Sequence, residues 1–207
     1  MIFNKNNKLR VFEGFAGYGG ASFALKKLKK IHPKFEYEVV GYSEFDAFAS
    51  KLFDENHKKA DGTLIKNWGD ITTIKPAELP DFDLFTGGFP CQPFSSAGMQ
   101  KGFNDPYGRG TLFHHIIRIC EVKKPKYILI ENVKGLNAKK FEQTRQLMRE
   151  MLRDIGYVSD KANSQENPLA AAILNSKDYG IPQNRERIWM FAKYGGLPYG
   201  FNIVPPK

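Results

Sequence analysis

The chain alternates short apolar runs with longer stretches in which apolar residues recur every three or four positions. The short runs predict β-strands, because four to eight apolar or β-branched residues bounded by turn residues are typical of buried strands. A brief further strand is expected just before Asp70-Ile71. The main predicted strands cover residues 9–13, 37–42, 82–86, 127–130, 170–175 and 187–192.

The longer stretches predict amphipathic helices over residues 21–30, 46–56, 111–122 and 141–155. The first helix is expected to bury a face made of Phe23, Ala24, Leu28 and Ile31. The last is expected to bury Leu147, Met151, Leu152 and Ile155. Alternating strands and helices predict an α/β fold with a doubly wound, mostly parallel sheet and right-handed crossovers. We expect one domain over residues 1–195 and a C-terminal tail over residues 196–207.

Composition favours a polyanionic partner. The 207 residues include 31 lysines and arginines against 22 acidic residues, a formal net charge of +9. A surplus of this size favours nucleic acid first and an anionic membrane surface second. Hydrophobic residues make up 42% of the chain, as in folded globular proteins, but no apolar run approaches membrane-spanning length. We therefore expect no membrane-spanning segment.

The two cysteines, Cys91 and Cys120, belong to no Cys-x-x-Cys pair. This argues against a disulfide framework or a zinc site, and no metal site is expected. A reduced compartment follows, and the N-terminus lacks the long apolar core of a signal peptide. The sequence therefore predicts a cytoplasmic protein.

Residues 87–95, Gly-Gly-Phe-Pro-Cys-Gln-Pro-Phe-Ser, place Cys91 in the loop that leaves a predicted buried strand. Open α/β sheets carry their chemistry in loops at the carboxyl ends of strands. Prolines at positions 90 and 93 restrict the backbone on both sides of the thiol. The pattern fits a nucleophilic cysteine, and it also fits a turn that contains a structural, buried cysteine.

A glycine-rich loop, Phe-Ala-Gly-Tyr-Gly-Gly at residues 15–20, follows the first predicted strand and opens the first helix. Glycines allow close approach to a ligand, and a helix N-terminus adds N–H donors. The spacing departs from G-x-G-x-x-G, which argues against a nicotinamide or flavin dinucleotide. Glu44 ends the second strand, where it can accept both ribose hydroxyls. Asp70 can accept from a purine amine and Phe45 can stack on the purine, which favours a nucleoside pocket over ordinary solvated acids.

Glu131-Asn132-Val133 closes the fourth main strand, and pairing of adjacent strands would bring its loop near Cys91. A carboxylate at an apolar strand end can hold or share a proton. Before the final strand, alternation places Arg185 and Arg187 on one face, so both can reach one oxygen-rich target. A solvent-facing basic edge is the alternative interpretation of this pair.

Together these segments resemble the cytosine-C5 DNA methyltransferase family, over residues 9–192. The family's elements occur in order: the Phe-x-Gly-x-Gly-Gly loop, Glu44, Asp70, Pro90-Cys91-Gln92, Arg109-Gly110-Thr111-Leu112-Phe113, Glu131-Asn132-Val133 and Gln183-x-Arg185-x-Arg187. The resemblance implies the Rossmann-like fold of S-adenosylmethionine-dependent methyltransferases, with S-adenosyl-L-methionine as cofactor and double-stranded DNA as partner. The domain over residues 1–195 would then be catalytic and cofactor-binding.

The resemblance also implies a mechanism. Cys91 would attack C6 of a flipped-out cytosine, and C5 would then take the methyl group of S-adenosylmethionine. Loss of the C5 proton and elimination of the thiol would restore the ring. Glu131 would act at N3, while Arg187, with Arg185 beside it, would hold O2 and the cysteine loop. Gln92 and Ser95 would belong to the segment that closes over the DNA.

A set of residues around the strand ends would line the cofactor pocket by the same resemblance: Phe15, Gly17, Gly19, Glu44, Phe45, Asp70, Ile71, Pro90 and Leu112. One departure is that Glu13-Gly14 stands where family members commonly have Asp-Leu. The acid is retained with one more methylene.

In the family, a target recognition domain and two further motifs follow Gln-x-Arg-x-Arg, whereas only 20 residues follow Arg187 here. Three explanations arise: a split enzyme whose second subunit supplies recognition and the C-terminal motifs, a truncated inactive relic, or a minimal enzyme. We expect the catalytic part of a split methyltransferase in a bacterial cell or phage-infected host, for example in restriction-modification. The alternative is an inactive DNA-associated or regulatory protein, and RNA is a lesser alternative as substrate.

Overall fold

The computed structural model describes residues 3–90, 112–159 and 166–204. Cys91, Gln92 and Ser95 lie outside these ranges, and so do Arg109, Gly110 and Thr111. None of the helices within them is long and apolar enough to cross a membrane. The chain divides into two compact units. The first runs up to Gly88 and includes Val122–Lys126, and the second comprises the rest.

Every main strand and helix that the pattern predicts is present in the described residues. In chain order they are β1 (Leu9–Gly14), α1 (Gly20–Ile31), β2 (Tyr37–Ser43), α2 (Ala47–Asn56), β3 (Leu84–Gly88), α3 (Leu112–Lys123), β4 (Tyr127–Val133), α4 (Glu142–Asp154), β5 (Ala170–Asn175) and β6 (Glu186–Lys193). The strand order is β2-β1-β3-β4-β6-β5. β1 is parallel to β2 and β3, whereas β6 is antiparallel to β4 and β5. The predicted α/β fold with a mostly parallel sheet is thereby confirmed.

Aromatic packing fixes α2 against the end of β2 in the first unit. The rings of Tyr42 and Phe53 stack with centroids 3.7 Å apart, and both side chains are completely buried. The Tyr42 hydroxyl donates to Asp54 Oδ1 at 2.9 Å, and burial raises the pKa of Tyr42 to about 12. Because Tyr42 lies two residues before Glu44, this packing holds the strand end from which Glu44 projects.

The buried face of α1 differs from the prediction. Ser22 and Leu25 are the buried residues, whereas Ile31 is 62% exposed and Phe23 and Leu28 are exposed. The reason is polar: the carboxylate of Glu13 in β1 accepts from the Ser22 hydroxyl and backbone, which turns that side of the helix inward. Apolar periodicity alone therefore gave the wrong rotation of the helix.

The buried face of α4 was also predicted only in part. Thr144, Arg145, Met148 and Leu152 are buried, whereas Leu147 is exposed. Arg145 can occupy this face because Nη1 donates to the carbonyl oxygens of Leu136 and Ala138 at 2.6 and 3.0 Å. Both carbonyls belong to the chain that follows β4, so the buried arginine ties α4 to that segment.

The brief strand predicted before Asp70 is wrong. A single parallel bridge joins Tyr42 to Asn67, and no strand forms there. The Asn67 side chain supplies the other bonds: Nδ2 donates to the carbonyl oxygen of Glu44 at 2.9 Å, and Oδ1 accepts from the Glu44 N–H at 3.1 Å. A side-chain amide thus takes the place of the ladder, which a strand pattern cannot reveal.

Candidate active site

The loop at residues 15–20 is held in an unusual backbone conformation. Phe15, Gly17 and Gly19 have φ angles of 52°, 55° and 88°. A β-carbon on Gly19 would lie 2.4 Å from Nε2 of His57, whereas none of the described atoms lies within 4 Å of the corresponding position on Gly17. Phe15 is not a glycine, and local strain of this kind is frequent in ligand-binding loops.

Glu13 caps the helix that follows this loop. Its Oε1 accepts from the Ala21 N–H at 2.9 Å, and Oε2 accepts from the N–H and hydroxyl of Ser22 at 3.1 and 2.6 Å. Burial raises the pKa of Glu13, and the three hydrogen bonds offset that effect only in part. These contacts give the Glu-for-Asp departure a structural role: the longer acid reaches the first turn of α1.

Glu44 joins the end of β2 to the glycine loop. Oε2 accepts from the Gly17 N–H at 2.8 Å, and Oε1 accepts from the Asp46 N–H at 2.9 Å. Each carboxylate oxygen can accept further hydrogen bonds, so the carboxylate is both oriented and chemically able to accept from a vicinal diol. The neighbouring ring of Phe45 is 81% exposed and can stack on a purine.

Asp70 and Ile71 lie at a turn that follows Asn67 in the sequence. Asp70 is exposed, and its Oδ1 accepts from the Thr72 N–H at 2.9 Å. Ile71 is buried, and the Ser43 hydroxyl donates to the carbonyl oxygen of Gly69 at 2.7 Å. The turn is therefore fixed to the end of β2, while Asp70 keeps its carboxylate at the surface.

In the second unit, Glu131 is paired with both predicted arginines. Arg187 Nε lies 2.8 Å from Glu131 Oε1 in an ion pair, and Arg185 Nη2 lies 4.0 Å from the same oxygen. The Glu131 side chain is 20% exposed, against 23% for Arg187 and 49% for Arg185. A partly buried carboxylate with two guanidinium groups is suited to binding a polar base edge.

Asn132 connects this strand end to the chain that leads to the predicted nucleophile. Its buried Nδ2 donates to the carbonyl oxygen of Phe89 at 3.0 Å, and its Oδ1 accepts from the Val133 N–H at 2.8 Å. Phe89 is buried and packs on Phe113, with ring centroids 5.8 Å apart. Pro90 is exposed directly after it, so the backbone is fixed one residue before the described segment ends. Leu112, half-buried, begins α3.

Asn175 holds the arginine segment in place from β5. Its Oδ1 accepts from the Arg185 N–H at 3.1 Å, and its Nδ2 donates to Asn184 Oδ1 at 2.7 Å. Sequence reasoning missed Asn175, His57 and the structural role of Asn132. An asparagine at a strand end is a recognisable signal for such capping, but nothing local in the sequence indicates which loop each one binds.

The comparisons with known proteins agree on the family. Residues 9–206 match the family model described as C-5 cytosine-specific DNA methylase. The chain belongs to that family. It is 42% identical over 184 residues to the orphan methyltransferase M.Rho11sI of Bacillus phage rho11s, and 37% identical over 182 residues to the type II methyltransferase M.HhaI of Haemophilus parahaemolyticus.

Solved structures support the same fold. The S. pombe Dnmt2 methyltransferase matches with a TM-score of 0.62 and 27% identity, covering 91% of this chain and 50% of that one. A Spodoptera frugiperda DNMT2 mutant has a TM-score of 0.68 at 22% identity, covering 96% of this chain and 54% of that one, and shows the fold alone. The alignments cover 89% and 88% of this chain for the phage and Haemophilus proteins, but only 33% and 48% of those proteins.

Membership of the family implies S-adenosyl-L-methionine as cofactor, and the described residues fit its adenosine part. The Glu44 carboxylate is held by two backbone N–H groups and can still accept from ribose hydroxyls. Phe45 presents an exposed ring one residue later. Gly17 has no described atom within 4 Å of the position of a β-carbon, so a ligand can approach the backbone there.

Proposed function

We propose that this chain transfers a methyl group from S-adenosyl-L-methionine to C5 of cytosine in double-stranded DNA. The observation that carries the proposal is the Glu131–Arg187 pair in a chain of this family, on the strand whose Asn132 holds Phe89, two residues before Cys91. The paired carboxylate and guanidinium fit the polar edge of a base better than a solvent-facing basic patch, because both side chains are mostly buried.

Cys91 is the proposed nucleophile. Its thiolate adds to C6 of a flipped-out cytosine, which forms the S–C6 bond and places electron density on C5. When bound, S-adenosyl-L-methionine would supply an electrophilic methyl group to that carbon, and S-adenosyl-L-homocysteine would be the leaving group. A base then removes the C5 proton, the electron pair re-forms the 5,6 double bond, and the thiolate leaves from C6. The second cysteine, Cys120, is fully buried in α3 and takes no part.

Glu131 and the two arginines are proposed to activate the ring. Glu131 binds the N3 edge of the cytosine and supplies proton character there, which makes C6 a better electrophile. Arg187 orients Glu131 through Oε1, so the proposal assigns Oε2 to the base. Arg187 and Arg185 also stabilise negative charge at O2, where charge develops as the thiolate adds.

The proposal assigns the contacts to the adenosine part of the cofactor to the first unit. Glu44 accepts from the ribose hydroxyls, Phe45 stacks on the adenine, and Asp70 accepts from the adenine amine. Gly17, Gly19, Phe15 and Ile71 are the remaining residues of this unit proposed for the pocket. Pro90 and Leu112 belong to the second unit and are proposed as cofactor contacts on the family resemblance alone. Gln92 and Ser95 are proposed to contact DNA around the flipped base.

The decisive experiment is transfer of a radiolabelled methyl group to mixed-sequence DNA by the purified chain, compared with Cys91→Ser. Cys120→Ala is the matched control, because it removes the only other thiol. We expect transfer to disappear in the first variant and persist in the second. A 5-fluorocytosine duplex adds a test of the covalent step. Fluorine replaces the C5 proton and a base cannot remove it, so the thiol is not eliminated and the protein–DNA adduct should accumulate. Equal transfer by both variants would refute the role of Cys91.

The involvement of a second subunit is a separate proposal. It expects the purified chain to show weak or no transfer alone, and transfer at defined sites once a polypeptide that carries a target recognition segment is added. Site-specific transfer by the chain alone would contradict it. A catalytically inactive DNA-associated protein would instead bind DNA yet form no adduct with the 5-fluorocytosine duplex under either condition.

A further inference from the structure

A groove of about 320 Å³ lies in the first unit and is lined by none of the proposed catalytic or cofactor residues. Five of its lining residues are lysines: Lys8, Lys26, Lys29, Lys58 and Lys59. We refer to it as the lysine groove. Two acids, Glu36 and Glu38, also line it. Its volume is at the lower end of the range typical of small-ligand sites.

The charges of the lysine groove are not balanced within the groove. Glu36 is already bonded to Lys29, whose ammonium also donates to the carbonyl oxygen of Pro33 at 2.9 Å. This leaves one acid in the groove, Glu38, and four lysines: Lys8, Lys26, Lys58 and Lys59. In the part of the chain that the structure describes, no ion pair within 4.0 Å involves any of these four. The groove therefore carries a surplus of positive charge.

Regular structure fixes the backbone positions of four of these lysines. Lys26 and Lys29 follow Ser22 along one face of α1, at spacings of four and three residues. Lys58 pairs with Leu64 in an antiparallel bridge, and the Lys59 N–H donates to the Thr63 carbonyl at 2.9 Å. A helix face and a closed turn thus place four lysines around one concave surface.

His57 connects the lysine groove to the glycine loop. Its ring lines the groove, and its Nε2 lies 3.1 Å from the carbonyl oxygen of Tyr18. Because a carbonyl oxygen only accepts, Nε2 carries the proton and Nδ1 is the ring atom left for other contacts. The ring of Phe23 packs edge-on against that of His57, with centroids 4.5 Å apart. A ligand in the groove would therefore contact a residue that touches the loop.

We propose that the lysine groove binds phosphate groups, and specifically backbone phosphates of nucleic acid outside the reacting base. Ammonium groups on flexible stems recognise phosphodiesters without reading sequence. The net charge of +9 and the membership of a DNA methylase family favour nucleic acid over a free phosphate compound. This inference does not depend on methyl transfer, since binding at the groove and chemistry at Cys91 are measured separately.

The test compares two charge-matched triple variants by fluorescence anisotropy with a labelled duplex that contains only A·T pairs, which offers no cytosine. Lys26→Gln/Lys58→Gln/Lys59→Gln removes groove charges, and Lys27→Gln/Lys30→Gln/Lys51→Gln removes three exposed lysines that do not line the groove. We expect the groove variant to bind at least about ten-fold more weakly than the control. The slope of log affinity against log salt concentration should be smaller in magnitude by about 2 to 3 for the groove variant than for the control, as expected for three lost phosphate contacts.

A second arm distinguishes the source of the phosphate. Pyrophosphate is titrated into ¹⁵N-histidine-labelled protein, and the His57 signals are assigned by loss in His57→Gln. Saturable shifts that the groove variant lacks, together with equal duplex affinities of the two triple variants, would assign the groove to a free phosphate compound and overturn the nucleic-acid proposal. No shift and equal affinities would overturn phosphate binding altogether. Should the triple variant melt early, Lys58→Gln/Lys59→Gln, confined to an exposed turn, repeats the test.

Discussion

Arg187 Nε lies 2.8 Å from Glu131 Oε1, on neighbouring antiparallel strands. The strand register pairs Glu131 with Trp189 and Val133 with Arg187, so the two charged residues are diagonal neighbours on one face of the sheet. β4 and β6 are more than 50 residues apart in sequence, and their pairing brings Arg187 to one carboxylate oxygen of Glu131. The contact gives the Glu131 side chain a defined orientation.

Arg187→Ala is expected to lower single-turnover methyl transfer by about 10²- to 10³-fold, the effect of removing one preorganised donor from a site of developing charge. Arg187→Lys should recover little, because an ammonium cannot reproduce the Nε geometry of a guanidinium. The measurement is the single-turnover rate with saturating DNA, alongside a thermal melt.

Arg185→Ala is the matched comparison for Arg187. Arg185 is 49% exposed and its Nη2 lies 4.0 Å from Glu131, so water screens the pair and we expect a loss below about ten-fold. A larger loss for Arg185 than for Arg187 would show that the proposed division of roles is reversed.

Asn132→Ala is expected to destabilise the fold by about 1 to 3 kcal/mol, because it leaves the buried carbonyl of Phe89 without its donor. Urea unfolding measures this change. Asn137→Ala, at an exposed asparagine five residues later, should stay within about 0.5 kcal/mol of the wild type. Similar values for the two variants would mean that the Phe89 contact contributes nothing.

The sequence predicted the main strands correctly, because short apolar runs are buried in most folds. Short apolar runs predicted all the main strands, and Glu131 and Arg187 lie on two of them, with Arg185 directly before β6. Their expected roles in catalysis remain proposals. The position of Cys91 in a loop after a strand also stays a prediction, because it lies outside the described residues.

The failures share a physical cause, which is hydrogen bonding of polar side chains to partners elsewhere in the chain. Ser22 and Arg145 are buried because partners outside their own helices satisfy them, so apolar periodicity gave the wrong face for α1 and only part of the buried face of α4. Asn67 replaces a strand with side-chain bonds to the backbone of Glu44. Partners such as these come together only in the folded chain, and no local pattern reveals them.

Glu44→Gln is expected to weaken binding of S-adenosyl-L-homocysteine by about 10- to 100-fold, which is the range for losing hydrogen bonds to a charged acceptor. The amide retains the shape but has one acceptor oxygen instead of two. Isothermal titration calorimetry measures the affinity without turnover. Glu55→Gln, on exposed α2, should bind as the wild type does. Unchanged affinity in Glu44→Gln would remove Glu44 from the cofactor site.

Gly19→Ala and Gly17→Ala separate backbone strain from steric conflict. Both positions have positive φ, which costs a residue with a β-carbon about 1 to 2 kcal/mol. Only at Gly19 would that carbon also lie 2.4 Å from His57 and 2.9 Å from Phe53. We expect Gly19→Ala to lose about 3 kcal/mol or more of unfolding free energy and Gly17→Ala about half of that. Equal losses would show that His57 moves aside freely.

Glu13→Gln is expected to change how stability depends on pH. Burial raises the pKa of Glu13 in the folded chain, so its contribution to stability is present below about 4.5, the usual value, and is lost as pH rises through the folded pKa. Glutamine cannot ionise and lacks this loss. The unfolding free energy of the wild type minus that of Glu13→Gln should therefore fall as the pH rises above about 4.5, because the other groups cancel in the difference. Urea unfolding across that range measures it, and a constant difference would mean that Glu13 titrates alike in both states.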